Sequence, residues 1–169
     1  MIPTIWKRKP PSAIGPVYSA RISAATEDPM GSMPLSTMVA AMRAAIARAV
    51  VASGLIPSLG VFHSNRSNPF CLADDLLGPY RPYVDWRVRL LVNETGGSPL
   101  SLNDRPIRAA LLSLFNETVL VGGRRNPMLL AIQTSATSLS RAITGGDPEL
   151  ALPSGLPLGP DLPDGDGSV

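Results

Sequence analysis

One stripe of aliphatic side chains constrains this chain more than any other feature. Leu35, Val39, Met42, Ile46, Ala49 and Val50 recur at steps of three and four, the spacing that gathers side chains on one face of an α-helix. Arg43 and Arg48 fall off that face. Ser36 can cap the start and Gly54 can end the run, so the pattern predicts a helix over 36–53. A chain committed to such a helix must supply other elements to cover its apolar face.

The rest of the sequence supplies mainly helices. Asn68-Pro69 is a start signal, an Asn cap before a Pro in the first turn. Phe70, Ala73, Leu76 and Leu77 then mark an inner face, and Gly78-Pro79 is expected to break the helix. A further helix is expected from about Pro82 through RVRLLVNE, ending at Thr95-Gly96-Gly97. Asp104 to Phe115 reads as a fourth helix with Pro106 in its first turn. ETVLVGGRR is β-like, since Val, Leu and Thr run into Gly-Gly. Asn126-Pro127 repeats the start signal, and Met128, Ile132, Ala136, Leu139 and Ile143 give a fifth helix ending at Gly145-Gly146. Five helices and almost no strand place the chain in the mainly α class. Residues 1–33 lack sustained periodicity and form an irregular segment, 34–152 form the helical domain, and 153–169, rich in Pro and Gly, read as a disordered acidic tail.

Composition narrows the function classes. With 169 residues and 44% apolar content the chain can bury one core, but at 5% aromatics that core is aliphatic. No run of uninterrupted apolar residues approaches the roughly 18 of a membrane span, and MIPTIWKRKPPS is not a secretory leader. Cys71 is the only cysteine, so neither an internal disulfide nor a Cys-based zinc cluster is available. A cytoplasmic location with no membrane partner is the expectation. Residues 1–146 hold all 15 Lys and Arg against 8 acids, +7, whereas 147–169 hold 5 acids and no base, −5. A basic body suits a polyanion such as DNA.

The chain carries a single histidine, His63, in a loop before the adjacent acids Asp74 and Asp75. Two readings stand side by side. In one, His63 is an ordinary loop histidine bonded to backbone, and the acids are surface groups. In the other, His63 and Asp75 contribute to a hard-ligand site for Mg2+ or Mn2+. Asp74 and Asp75 point about 100° apart on a helix, so both cannot readily face one ion. Position 78, one turn after Asp75, would complete such a site with a carboxylate, but it is glycine. Arg66, Arg81, Arg87 and Arg89 flank the region, and Arg124-Arg125 after Gly-Gly is either a phosphate grip or a charged hairpin tip. Trp6 and Trp86 read as packing residues. Walker, GxGxxG, HExxH and GxSxG motifs are absent from the sequence.

The words VASGL, PSLG, FH, NPF, LADDL and PYRPYVD follow one another between residues 51 and 85. In that order they resemble the helical catalytic domain of the CRISPR-associated endonuclease/integrase of spacer acquisition, the "Cas-one" family in its type II form. LNDRPIRAALLSLFNETVLVGG and LLAIQTSATSLSRAI are similar to its later helices. The resemblance covers about 35–156. It implies a five-helix orthogonal bundle, a metal-dependent DNA integrase that joins spacer DNA by 3′-OH transesterification, and Mg2+ or Mn2+ as cofactor. Double-stranded DNA, a second, smaller CRISPR adaptation protein and a homodimer are the implied partners. His63 matches the family's metal-binding histidine and Asp75 its motif aspartate, making them the implied catalytic and metal residues. Arg66, Arg81, Arg124 and Arg125 are the expected DNA contacts. Gly78 stands at the family's third ligand position, and the acids preceding His63, Glu27 and Asp28, lie in a turn. The chain therefore reads as a shortened relative without the N-terminal β domain, catalytically impaired, or else as a non-catalytic DNA-binding or interaction remnant.

Overall fold

The computed structural model describes residues 32–63, 65–145 and 149–155. In chain order come α1 (Ser32–Ala52), α2 (Cys71–Glu94), α3 (Arg105–Leu112), a 3-10 turn (Ser113–Asn116), β1 (Thr118–Val121), β2 (Arg124–Pro127) and α4 (Met128–Ile143). The irregular segment and most of the acidic tail expected from composition lie outside the described residues.

The mainly α class holds, with four α-helices among the described residues where five were expected. The aliphatic stripe of α1 is the centre of the core: Met38, Met42, Ile46 and Val50 are almost fully buried, and α1 packs on both α2 and α4. It begins at Ser32, so Ser36 lies inside it rather than capping it. Gly54 follows its end with φ +77°, a conformation glycine adopts without a Cβ penalty.

The missing fifth element is explained by α2. The helix does not stop at Gly78-Pro79 but runs unbroken through Pro79 and Pro82 to Glu94. An internal proline costs about 3 kcal/mol. Against that, Leu76, Leu77, Tyr80, Tyr83 and Val84 are all buried on the same continuous helix, and each is worth roughly 1.5–3 kcal/mol. Burial wins. Gly78 helps, because a residue before proline is pushed from helical geometry partly by its own Cβ, and a Cβ is what glycine lacks. The start signal at Asn68 also acts differently from expectation. The helix begins at Cys71, and the Asn68 Oδ1 accepts the Phe70 N–H at 3.0 Å, an Asx turn ahead of the helix.

The β-like stretch is a hairpin, with Val119 facing Asn126 and Val121 facing Arg124. Gly122 and Gly123 both have positive φ, as a two-residue turn of this handedness demands. Asn126-Pro127 therefore ends β2 instead of starting a helix. The backbone then leads straight into α4, whose Met128, Ile132, Ala136 and Leu139 are buried while Ile143 is half exposed. Residues 149–155 return along this hairpin. Pro153 bridges Val121, and the Ser154 N–H reaches the Leu120 carbonyl at 2.9 Å. Tyr80 Oη and Ser135 Oγ lie 2.8 Å apart, and Ser135 donates in turn to the Ala151 carbonyl at 2.6 Å. Burial raises the Tyr80 hydroxyl pKa well above its usual value, so it stays a donor. Tyr83 closes the latch by donating to the Gly155 carbonyl. Residues 153–155 thus dock on the hairpin and on α2.

Candidate functional site

The loop joining α1 to α2 is held by the first turns of α2. The Leu72 N–H bonds the Pro57 carbonyl at 2.7 Å. Buried Cys71 donates its Sγ to the carbonyls of Asn65 and Asn68, at 3.4 and 3.3 Å. Asp74 turns towards α1, where Arg43 Nη2 reaches its Oδ2 at 2.6 Å and Asn68 Nδ2 reaches the same oxygen at 2.7 Å. The Arg43 guanidinium also lies 5.0 Å from the Phe70 ring centre. That stacking keeps Phe70, expected on the inner face, at the surface.

Asp75, the next residue, points the other way and makes the central contacts. Its side chain has no exposed surface. Oδ2 accepts the N–H groups of Val61 and Phe62 at 2.6 and 3.0 Å, and Oδ1 accepts the His63 N–H at 3.2 Å. Oδ1 also meets His63 Nδ1 at 2.5 Å. Since the carboxylate can only accept, Nδ1 carries the proton. A carboxylate offers about four acceptor positions, and here all of them are taken from within the chain. The loop must pass very close to make these bonds. A Cβ added to Gly60 would run into the His63 carbonyl oxygen and stand 2.7 Å from Cys71 Cβ. Only glycine fits.

The structure thus brings His63 and Asp75 together, and separates Asp74 from both. The His63 side chain is 58% exposed. With Nδ1 bound to Asp75, its outward ring atom is Nε2, the arrangement in which a carboxylate orients an imidazole for use at its other nitrogen. Gly78 sits on the exposed side of α2, and a side chain there would meet nothing within 4 Å. Among the described residues no three His, Cys, Asp or Glu side chains cluster to hold a metal ion. One imidazole nitrogen is too few donors for Mg2+ or Mn2+, which take six or so oxygen-rich ligands. The donor set of the described residues does not fit a resident divalent ion.

The arginines divide. Arg66 is exposed on the same loop as His63. Arg81 is six residues beyond Asp75, on a different face of α2, and its Nε donates to Asp85 at 2.9 Å. Arg87 is occupied structurally by the Ala110 carbonyl and Ser113. Arg124 and Arg125 are exposed on β2, in the hairpin and not in the His63 loop. Arg43, Gly60 and Asn68 were not singled out in the sequence as parts of this site. The available signals were weak: an arginine off the α1 stripe and a glycine in a loop.

Comparison with known proteins agrees with this architecture. The family described as CRISPR associated protein Cas1 matches residues 17–106. The CRISPR-associated endonuclease Cas1 of Neisseria meningitidis serogroup C (strain 8013) is 33% identical over 125 residues, covering 73% of this chain and 40% of that protein. A casposase bound to integration product shares the fold with a TM-score of 0.58 at 22% identity, over 69% of this chain and 36% of its own. This chain therefore spans about two fifths of the curated relative it matches. It belongs to the Cas1 family of CRISPR-associated proteins.

Proposed function

We propose that the chain is a DNA-binding helical domain of the CRISPR adaptation integrase family, with phosphodiester chemistry impaired and with His63 as the remaining active-site group. The observation that carries this reading is the Asp75 carboxylate, wholly spent on three backbone N–H groups and His63 Nδ1. In this reading Asp75 positions His63 rather than binding an ion, and Gly78 provides no carboxylate. The Mg2+ or Mn2+ that the family resemblance implies has no matching donor set among the described residues. Without two carboxylates, affinity for such an ion is weak. His63 Nε2, which presents its lone pair outward, can accept a hydrogen bond from a hydroxyl group of the DNA. Arg66, together with Arg124 and Arg125 on the hairpin, supplies positive charge for the DNA backbone, while Arg81 is partly neutralised by Asp85. Family membership supports double-stranded DNA as ligand and, in a complete assembly, a homodimer acting with the second, smaller adaptation protein. A cytoplasmic setting follows from the same role.

Two assays on the purified chain test this. DNA binding by fluorescence anisotropy is expected to be salt-dependent. Mn2+-dependent strand transfer or cleavage is expected to be feeble in the wild type, and raised in Gly78→Glu. Robust Mn2+-dependent turnover that His63→Ala abolishes would contradict the impairment. Absence of DNA binding at low salt would contradict the reading as a whole.

A further inference from the structure

One side of the helical domain presents apolar surface that none of the described elements covers. An open groove of about 950 Å3 runs along α1 and the start of α4, floored by Ala40, Ala44, Val51, Leu129 and Ile132. Val51 and Leu129 are 60% and 50% exposed there, an arrangement that favours an apolar occupant. The groove also has one sign of charge. Arg43 and Arg48 line it, and no acid among the described residues does. Asp74 engages Arg43 at 2.6 Å. Arg48 is exposed and has no hydrogen bond or ion pair among the described residues, so its charge is the one left uncompensated.

The sequence holds one segment of complementary chemistry. Residues 156–169, LPLGPDLPDGDGSV, set Leu156, Leu158 and Leu162 beside Asp161, Asp164 and Asp166, with no basic residue. Pro157, Pro160 and Pro163 favour an extended path over a helix. Residues 1–31 are a poorer match, since Lys7, Arg8, Lys9 and Arg21 outnumber Glu27 and Asp28 and Arg48 repels that excess. A second copy docked groove to groove would set Arg48 against Arg48. Reach is sufficient. Ala151 is held by Ser135 and Ser138 on α4, whose Leu129 and Ile132 face the groove on a different side of the helix. Gly155, at φ +87°, turns the chain beyond that point. The 14 residues after it extend up to about 46 Å, several times the roughly 10–12 Å diameter of a helix. We propose that residues 156–169 occupy this groove in the same molecule, with leucines on its alanine-rich floor and aspartates at Arg48. The proposal goes beyond the DNA-binding reading and stands whether or not the chain binds DNA.

The test uses the full chain with a nitroxide spin label on Ser168→Cys, attached under native conditions in which Cys71 is buried. NMR signals near the label broaden. The methyls of Val51 and Leu129 and the amides of 40–52 should broaden, while those of the 118–127 hairpin should not. Mixing isotope-labelled chain with separately spin-labelled chain should give no broadening. Salt at about 1 M, where charges are screened beyond roughly 3 Å, should weaken the effect. Arg48→Glu should remove most of it, and adding Asp161→Lys and Asp164→Lys to that variant should restore it. Leu158→Ser with Leu162→Ser should also reduce it. These changes lie in the tail or on an exposed position, and unchanged core methyl spectra verify the fold. Broadening spread evenly over the surface, or centred on the hairpin arginines, would overturn the proposal. Broadening of equal size in the mixed sample would assign the groove to a second copy and overturn it too. Full broadening retained in Arg48→Glu would refute the charge pairing on which the choice of occupant rests.

Discussion

Replacing Asp75 by Asn changes one atom and should show how much of the loop depends on the carboxylate. The amide keeps one acceptor oxygen and exchanges the other for a donor NH2. The oxygen is best kept against Val61 and Phe62, whose N–H groups lie at 2.6 and 3.0 Å. That sets the NH2 against the His63 N–H, at a contact that is 3.2 Å in the wild type, and two donors then face each other. A buried donor left without its acceptor costs about 1–3 kcal/mol. The charge-assisted character of the surviving bonds is lost as well, worth about 1 kcal/mol. Together these predict a loss of roughly 2–4 kcal/mol in urea denaturation. The substitution should also invert His63. The new NH2 can satisfy Nδ1 only if Nδ1 becomes the acceptor, which moves the proton to Nε2 and removes the lone pair that the wild type presents outward. Long-range 1H–15N correlation spectra of His63 report the tautomer directly. A stability change below about 0.5 kcal/mol, with the Nδ1–H tautomer retained, would refute the claim that Asp75 holds the loop and the ring.

Other outcomes follow from the same contacts. Gly60→Ala should cost about 1–3 kcal/mol by overpacking and shift the amide resonances of 60–63, as hydrogen exchange and NMR would show. Ser135→Ala leaves the Tyr80 hydroxyl and the Ala151 carbonyl without their shared partner. It should cost about 1–3 kcal/mol and speed amide exchange in 149–155. Gly78→Ala should not deliver the roughly 1 kcal/mol that Ala gains over Gly inside an ordinary helix, because its Cβ precedes Pro79; a full gain in denaturation would refute the role given to glycine there. Burial raises the Glu117 pKa, with Arg87 opposing. A carboxyl with a raised folded pKa stabilises the fold below the unfolded value, and that contribution is lost as pH rises through the folded value. Glu117→Gln should therefore grow more stable relative to wild type as pH rises from the carboxylate range to neutrality, measured by parallel urea titrations; a flat difference would exclude this.

Much of the fold was legible because burial leaves periodic marks. The stripe from Leu35 to Val50 and the run from Met128 to Leu139 are core faces in the structure as in the sequence, and Gly122-Gly123 announced the hairpin. The passage of α2 through Pro79 and Pro82 was not legible. Local rules penalise proline, and the buried Tyr80, Tyr83 and Val84 that outweigh it count only once the partner helices are in place. Phe70 was misplaced for a similar reason, since Arg43 lies on another helix and offers its ring a cation at the surface. At the site, spacing alone left His63 and Asp75 ambiguous, and resemblance to a family singled them out. Their actual relation depended on the loop path, set by Gly60 and three backbone N–H groups that no side-chain motif encodes.

The state of His63 in the presence of metal decides whether its loop holds a divalent ion. Mn2+ titrated into the chain and followed by paramagnetic broadening of the His63 ring should give weak, non-saturating effects through the low millimolar range, and Gly78→Glu should tighten them. Saturable binding in the micromolar range by the wild type, lost in His63→Ala, would contradict the central claim that this site no longer holds a divalent ion.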